Sequence, residues 1–95
     1  MKLPAYKLRV PDNVTELIRH MHPHLKKKVK SSLQIILSDP ETGKALKDEL
    51  AGLRSFRVSR FRIIYRTTKK EIEIIAIGPR ENIYEETFRI LSSKE

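Results

Sequence analysis

Arg57, Arg62, Arg80 and Tyr84 are the residues around which the chemistry of this chain can be organised. Arginine keeps its proton under physiological conditions and presents a planar fork of donors that matches two oxygens of a phosphate. Several arginines around one phosphorus would stabilise the charge that grows on a pentavalent intermediate. Tyrosine can stack on a base or exchange a proton. The four lie far apart along the chain, so they form a site only if the fold gathers them. In "AIGPRENIYEETFRIL" an apolar strand stops at Gly78-Pro79, Arg80 stands behind the break, and Tyr84 follows on the opening turn of a last helix.

Strand pairing supplies the gathering. "SFRV", "FRIIYRT" and "EIEIIAIG" read as three strands, with turns at Ser59-Arg60 and around Lys69-Lys70, and hence as an antiparallel meander. A two-residue turn at Ser59-Arg60 sets Val58 opposite Phe61 and Arg57 opposite Arg62. Opposed residues lie about 5 Å apart at Cβ, where like charges destabilise. Solvent screening leaves a penalty of a few tenths to about 1 kcal/mol, which a bound polyanion would turn into attraction. With Lys69-Lys70 at the second tip, Arg66 faces Glu73, Ile64 faces Ile75, and Arg62 falls beside Ile77. Arg80 then reaches the same corner. A slip of one residue would send the arginines to the other face.

The remaining elements must hold this meander. "AYKLRV" reads as a short first strand beginning at Ala5. Val14, Leu17, Ile18 and Met21 recur at helical spacing, with Asp12 or Asn13 as a cap. A longer helix follows His22-Pro23, with Leu25, Val29, Leu33, Ile36 and Leu37 as its apolar stripe, and "SDPETG" ends it. "KALKDELAGL" is a connector with one helical turn, closing at Gly52. Ile83 to Leu91 forms the final amphipathic helix, with Ile83, Phe88 and Leu91 pointing inward. The third meander strand, the most apolar, is expected at the centre of the sheet, and Tyr65 in the core. The fold class is α+β, ordered β-α-α-β-β-β-α: a small, mostly antiparallel twisted sheet whose helices cover one face and leave the other open.

Composition sets the boundaries of function. The chain has 95 residues, 39% apolar and 34% charged, enough for one domain over residues 1–95 that buries about 60–70% of its unfolded surface. It contains no cysteine, so disulfides and thiolate metal sites are excluded. The start "MKLPAYKLRV" lacks the apolar core of a signal peptide, and no run reaches transmembrane length, which places the expected protein in the cytoplasm and away from membranes. Twenty Lys and Arg against twelve Asp and Glu give a net charge of +8, a field that concentrates polyanions. The lysines of "KKKVK", above all Lys26, Lys27 and Lys30, are candidate RNA contacts on the second helix, and Arg54 and Arg60 are candidates to steer RNA into the arginine corner. His20, His22 and His24 do not make a metal site, because Pro23 breaks the spacing and no acidic helper is evident. Scattered carboxylates argue against a paired-carboxylate hydrolase. The plain alternatives are a solvated sheet face for Arg57 and Arg62, a surface pair with Glu81 or Glu85 for Arg80, and a helix anchor for Tyr84.

"GLRSFRVSRFRIIYR" followed by "EIEIIAIGPRENIYEETFRIL" resembles the RelE/ParE superfamily of bacterial type II toxins, and within it the RelE-like mRNA interferases. The specific part is a basic strand, an aromatic-Arg-apolar-apolar-Tyr strand, and Gly-x-Arg with a tyrosine soon after. The resemblance implies a ribosome-dependent endoribonuclease that cuts mRNA by attack of the 2′-hydroxyl on the neighbouring phosphate, without metal or cofactor. It carries site roles to Arg57, Arg62, Arg80 and Tyr84, with the ribosome and mRNA as partners. It also implies a cognate antitoxin, which charge complementarity makes an acidic or amphipathic segment. Three departures stand out: the first meander strand offers Arg57 and no lysine, Ser59 occupies the turn position usually held by glycine, and no histidine stands near the C-terminus. The general base is therefore Tyr84 or a residue the sequence does not place. The alternatives on the same fold are a ParE-type toxin that binds and inhibits DNA gyrase, and a basic interaction module without activity.

Overall fold

The computed structural model describes residues 6–92; Ala5, the expected start of the first strand, lies outside them. In chain order the elements are β1 (Lys7–Arg9), α1 (Asp12–Arg19), α2 (Pro23–Ser38), β2 (Lys44–Ala45), a 3-10 turn (Asp48–Leu50), β3 (Arg54–Val58), β4 (Phe61–Thr67), β5 (Glu71–Pro79) and α3 (Arg80–Ser92). The sheet order is β1-β5-β4-β3-β2. β1 lies parallel to β5 and every other pair is antiparallel. The expected α+β order holds, with one addition: Lys44–Ala45, read from sequence as part of a connector, adds a short edge strand to β3. Two residues are too few for an alternating pattern to show.

Local chemistry sets the helix starts. Pro11, not Asp12 or Asn13, precedes α1, and its carbonyl accepts from the amides of Val14 and Thr15. Asp12 instead lies in the first turn, where its charge suits the positive end of the helix dipole. α1 ends at Arg19, so Met21 falls beyond it, though it still packs against the core. α2 has Pro23 at its first position, where the missing N–H costs nothing, and His22 Nδ1 accepts from the His24 amide as the cap. Val29, Leu33 and Ile36 face inward from α2, as their spacing predicts.

The sheet is covered on both faces, which corrects the expectation of an open one. α1 and α2 place Val14, Val29, Leu33 and Ile36 against Val58, Ile63, Tyr65, Ile72, Ile74 and Ile77. On the opposite face α3 places Ile83 against Leu53, Ile64, Ile75 and Ala76. A run as continuously apolar as "IEIIAI" fits a strand buried on both sides rather than one half-exposed. Full burial of an aliphatic side chain contributes about 1.5–3 kcal/mol, so the second cluster is a substantial part of the stability. β4 is the middle strand; β5, expected there, is its neighbour. In α3 the inward residues are Ile83 and Thr87, while Phe88 is 46% exposed and Leu91 half-buried. Phe88, expected inside, stands about 140° around the helix from Ile83, and Thr87, one turn on from Ile83, takes the buried place. Among the described residues no helix is long and apolar enough to cross a membrane.

Candidate functional site

The β3–β4 hairpin closes in the expected register: Val58 pairs with Phe61 and Arg57 with Arg62. Ser59 takes a φ of 58°, the left-handed region that favours glycine, and Arg60 does not. One positive φ at the first central position is the mark of a type II′ turn, so the serine occupies a glycine's conformation. The second pairing departs from expectation. Arg66 faces Glu73 as predicted, but a bulge between Ile64 and Tyr65 makes Ile64 face Ala76 rather than Ile75, and Arg62 face Gly78 rather than Ile77. The shift of one residue turns both Ile75 and Ala76 toward α3 and brings the end of β5 one step closer to Arg62.

α3 begins at that point. The Arg80 amide donates to the Arg60 carbonyl at 3.3 Å, tying the first turn of α3 to the β3–β4 turn. Gly78 makes this possible: a Cβ there would stand 2.9 Å from Ile83 Cδ1, which is packed in the core. The result is a cleft of about 440 Å³ whose basic walls are Arg57, Arg60, Arg62 and Arg80. Ser59, Phe61, Pro79 and Glu81 complete it.

None of the four arginines makes an ion pair with a carboxylate among the described residues. Arg57 Nε donates to the Ser59 carbonyl at 3.4 Å, a long bond that leaves the rest of the guanidinium free. Arg80 does not pair with Glu81 or Glu85; Glu85 is taken by Arg89 at 3.8 Å. The N-terminus of α3 adds roughly half a positive charge to the same corner. Four guanidiniums and a helix N-terminus, with Glu81 as the one carboxylate in the lining and no ion pair to it, give a strongly positive corner suited to a multiply charged anion.

The other sequence candidates are placed elsewhere. Tyr84 lies on the α3 face of the sheet, half-buried, its hydroxyl 3.2 Å from Ser55 Oγ. Ser55 and Arg57 alternate along β3 on that face, so Tyr84 adjoins the cleft without lining it. Arg54 is at the far end of β3, where Nη1 donates to the carbonyls of Glu41 and Gly43 at 3.2 and 2.7 Å. Lys26 and Lys30 border a separate groove between α1 and α2, and Lys27 a shallow basin that reaches Ser59 from the other side. His22 and His24 stack on each other, and among the described residues no group of three or more potential ligands is placed to hold a metal ion. A second cleft of about 440 Å³, between α1 and α3, has no cation in its lining and is not an anion site. Glu81 and Ser55 were not anticipated: Glu81 looked like one of several scattered helix carboxylates, and Ser55 acquires its partner only through the packing of α3.

This architecture is shared. The RelE toxin of Escherichia coli, solved free as a doubly substituted variant, superposes with a TM-score of 0.72 at 18% identity, over 95% of this chain and 97% of that one. The RelBE2 toxin-antitoxin complex of Mycobacterium tuberculosis gives 0.70 at 24% identity, covering 83% and 95% of the two chains. The archaeal RelE-RelB complex of Pyrococcus horikoshii gives 0.66 at 21%, covering 80% and 96%. At such identities the likeness is one of fold, and the fold is that of RelE. No curated protein matches the sequence. Residues 8–87, however, match the ParE-like toxins of type II bacterial toxin-antitoxin systems. The chain belongs to that family, within the RelE/ParE superfamily that its meander resembles.

Proposed function

We propose that this toxin is a translation-coupled mRNA endoribonuclease whose active site is the arginine cleft. The observation that carries the reading is the convergence of Arg57, Arg60, Arg62 and Arg80 on one cleft with no carboxylate paired to any of them among the described residues. Arg57 and Arg62 hold the scissile phosphate between them, and Arg80, at the helix N-terminus, stabilises the charge that develops as the 2′-hydroxyl attacks. Tyr84 braces α3 over β3 through Ser55 and offers its ring beside the cleft for base stacking. Lys26, Lys27 and Lys30 lie outside the cleft and take the role of sequence-independent contacts to ribosomal RNA. An antitoxin silences the toxin by laying an acidic segment over the cleft. The structural relatives solved as toxin-antitoxin complexes support such a partner.

The second reading is inhibition of DNA gyrase by binding. It is favoured by the ParE-like family match and by a cleft that holds neither lysine nor histidine. Pure protein tested on programmed ribosomes and, in parallel, on gyrase supercoiling separates the two. Cleavage of mRNA that requires ribosomes is expected; inhibited supercoiling with intact mRNA would assign the protein to gyrase.

A further inference from the structure

The arginines of the cleft suit a phosphate, but none of them can take the proton from the attacking 2′-hydroxyl. Arginine hardly ever gives up its own proton, so four of them supply no base. Phe61 and Pro79 have no titratable atom, and a serine hydroxyl such as that of Ser59 is a weak acceptor. Tyr84 does not line the cleft, and its hydroxyl is already engaged with Ser55. One carboxylate remains. Glu81 lies on the first turn of α3, lines the same cleft as the arginines, and makes no ion pair among the described residues. Its neighbours on α3 are committed elsewhere: Glu85 meets Arg89, and Glu86 borders the cleft between α1 and α3.

We propose that Glu81 is the general base of this toxin, an inference that rests on the nuclease reading. Its carboxylate takes the 2′-hydroxyl proton as the O2′–P bond forms and the P–O5′ bond breaks. The departing 5′-oxygen takes a proton from water, and the carboxylic acid returns its own to the resulting hydroxide, so that the protons balance. The products are a 2′,3′-cyclic phosphate and a free 5′-hydroxyl. The charged groups that share the cleft with Glu81 are Arg57 from β3, Arg60 from the turn, Arg62 from β4 and Arg80 beside it.

The test is single-turnover cleavage of mRNA on programmed ribosomes by wild type, Glu81→Gln and Glu81→Asp, followed across pH, with ribosome binding and thermal melting measured on each. Glu81→Gln is expected to cut about 100- to 10,000-fold more slowly while binding ribosomes and melting as wild type does. The wild-type rate should fall in acid as the carboxylate is protonated; that limb should vanish in Glu81→Gln and persist in Glu81→Asp. Cleavage by Glu81→Gln at the wild-type rate, or an acid limb that survives in it, overturns the assignment of Glu81 and leaves the nuclease standing. Wild type that binds ribosomes and cuts nothing overturns the nuclease reading, and Glu81 as a base with it.

Discussion

The two ends of the β3–β4 hairpin use the same residue types to opposite ends. At the open end, where β3 begins, two arginines and a tyrosine all have partners, although Arg66 Nε stays buried without an acceptor among the described residues. Arg66 Nη2 meets Glu73 at 2.6 Å, Arg54 donates to two backbone carbonyls, and buried Tyr65 donates to the Pro40 carbonyl at 2.8 Å while accepting from the Gly43 amide at 3.0 Å. At the turn end four arginines share a cleft with no ion pair among the described residues, next to a serine in a glycine's conformation. Burial explains the first end: polar groups taken out of water need partners, and Tyr65 has no exposed surface. Nothing in folding explains the second, where opposed Arg57 and Arg62 cost stability. Unpaired charge at one end and paired charge at the other are what support the proposed function at the turn.

Substitutions that break this contrast are expected to separate activity from stability. Arg62→Ala or Arg80→Ala should lower mRNA cleavage about 100- to 1,000-fold, comparable to losing one transition-state donor, with melting unchanged in Arg80→Ala and slightly raised in Arg62→Ala, which relieves the repulsion from Arg57. Gly43→Ala should act only on stability. Its Cβ would stand 2.7 Å from Tyr65 Oη, 2.9 Å from Tyr65 Cε1 and 3.1 Å from the Ser55 carbonyl. Overpacking of this kind costs about 1–3 kcal/mol in chemical denaturation.

Tyr65→Phe sharpens the same end, leaving the half-buried Pro40 carbonyl and the buried Gly43 amide without their partner, at a cost of about 1–3 kcal/mol. It also carries a pH signature. Burial raises the Tyr65 phenol above the ordinary tyrosine range, outweighing the Gly43 amide and Arg54, which pull it down. The folded state therefore holds the proton more tightly than the unfolded chain. Tyr65's contribution is full below about pH 10 and is lost as pH rises through the folded value. Denaturation followed across alkaline pH should show this loss in wild type and not in Tyr65→Phe. The smallest effect is at the turn. Ser59→Gly should relieve the left-handed backbone and, after the added freedom of the unfolded chain, raise stability by about 0.5–1 kcal/mol in thermal melts, with cleavage unchanged.

Most of the meander was legible from sequence because turns and alternation set register over short range. Val58 opposite Phe61, Arg57 opposite Arg62 and Arg66 opposite Glu73 all follow from two turns and a period of two. Arg62 opposite Gly78 did not, because a bulge inserts a residue without leaving a glycine or proline to mark it. Burial of both faces was latent in the apolar run of β5. The start of α3 at Arg80 was not legible, since Pro79 and Arg80 carry no apolar periodicity. The gathering of Arg57, Arg62 and Arg80 was readable from pairing. Tyr84 on Ser55 and Glu81 in the cleft emerge only when α3 is packed on the sheet, and Arg54's partners only when the segment before β2 folds over β3.

The most direct test compares one substitution at each end of the hairpin: Arg80→Ala and Arg54→Ala, assayed by primer extension on mRNA in a purified translation system, with and without ribosomes, alongside thermal melting. The account predicts ribosome-dependent cuts that disappear with Arg80→Ala at unchanged melting temperature. It predicts that Arg54→Ala melts lower and still cuts. Cleavage surviving Arg80→Ala, or lost with Arg54→Ala in protein that remains folded, would contradict the division of the molecule into an end that folds and an end that acts.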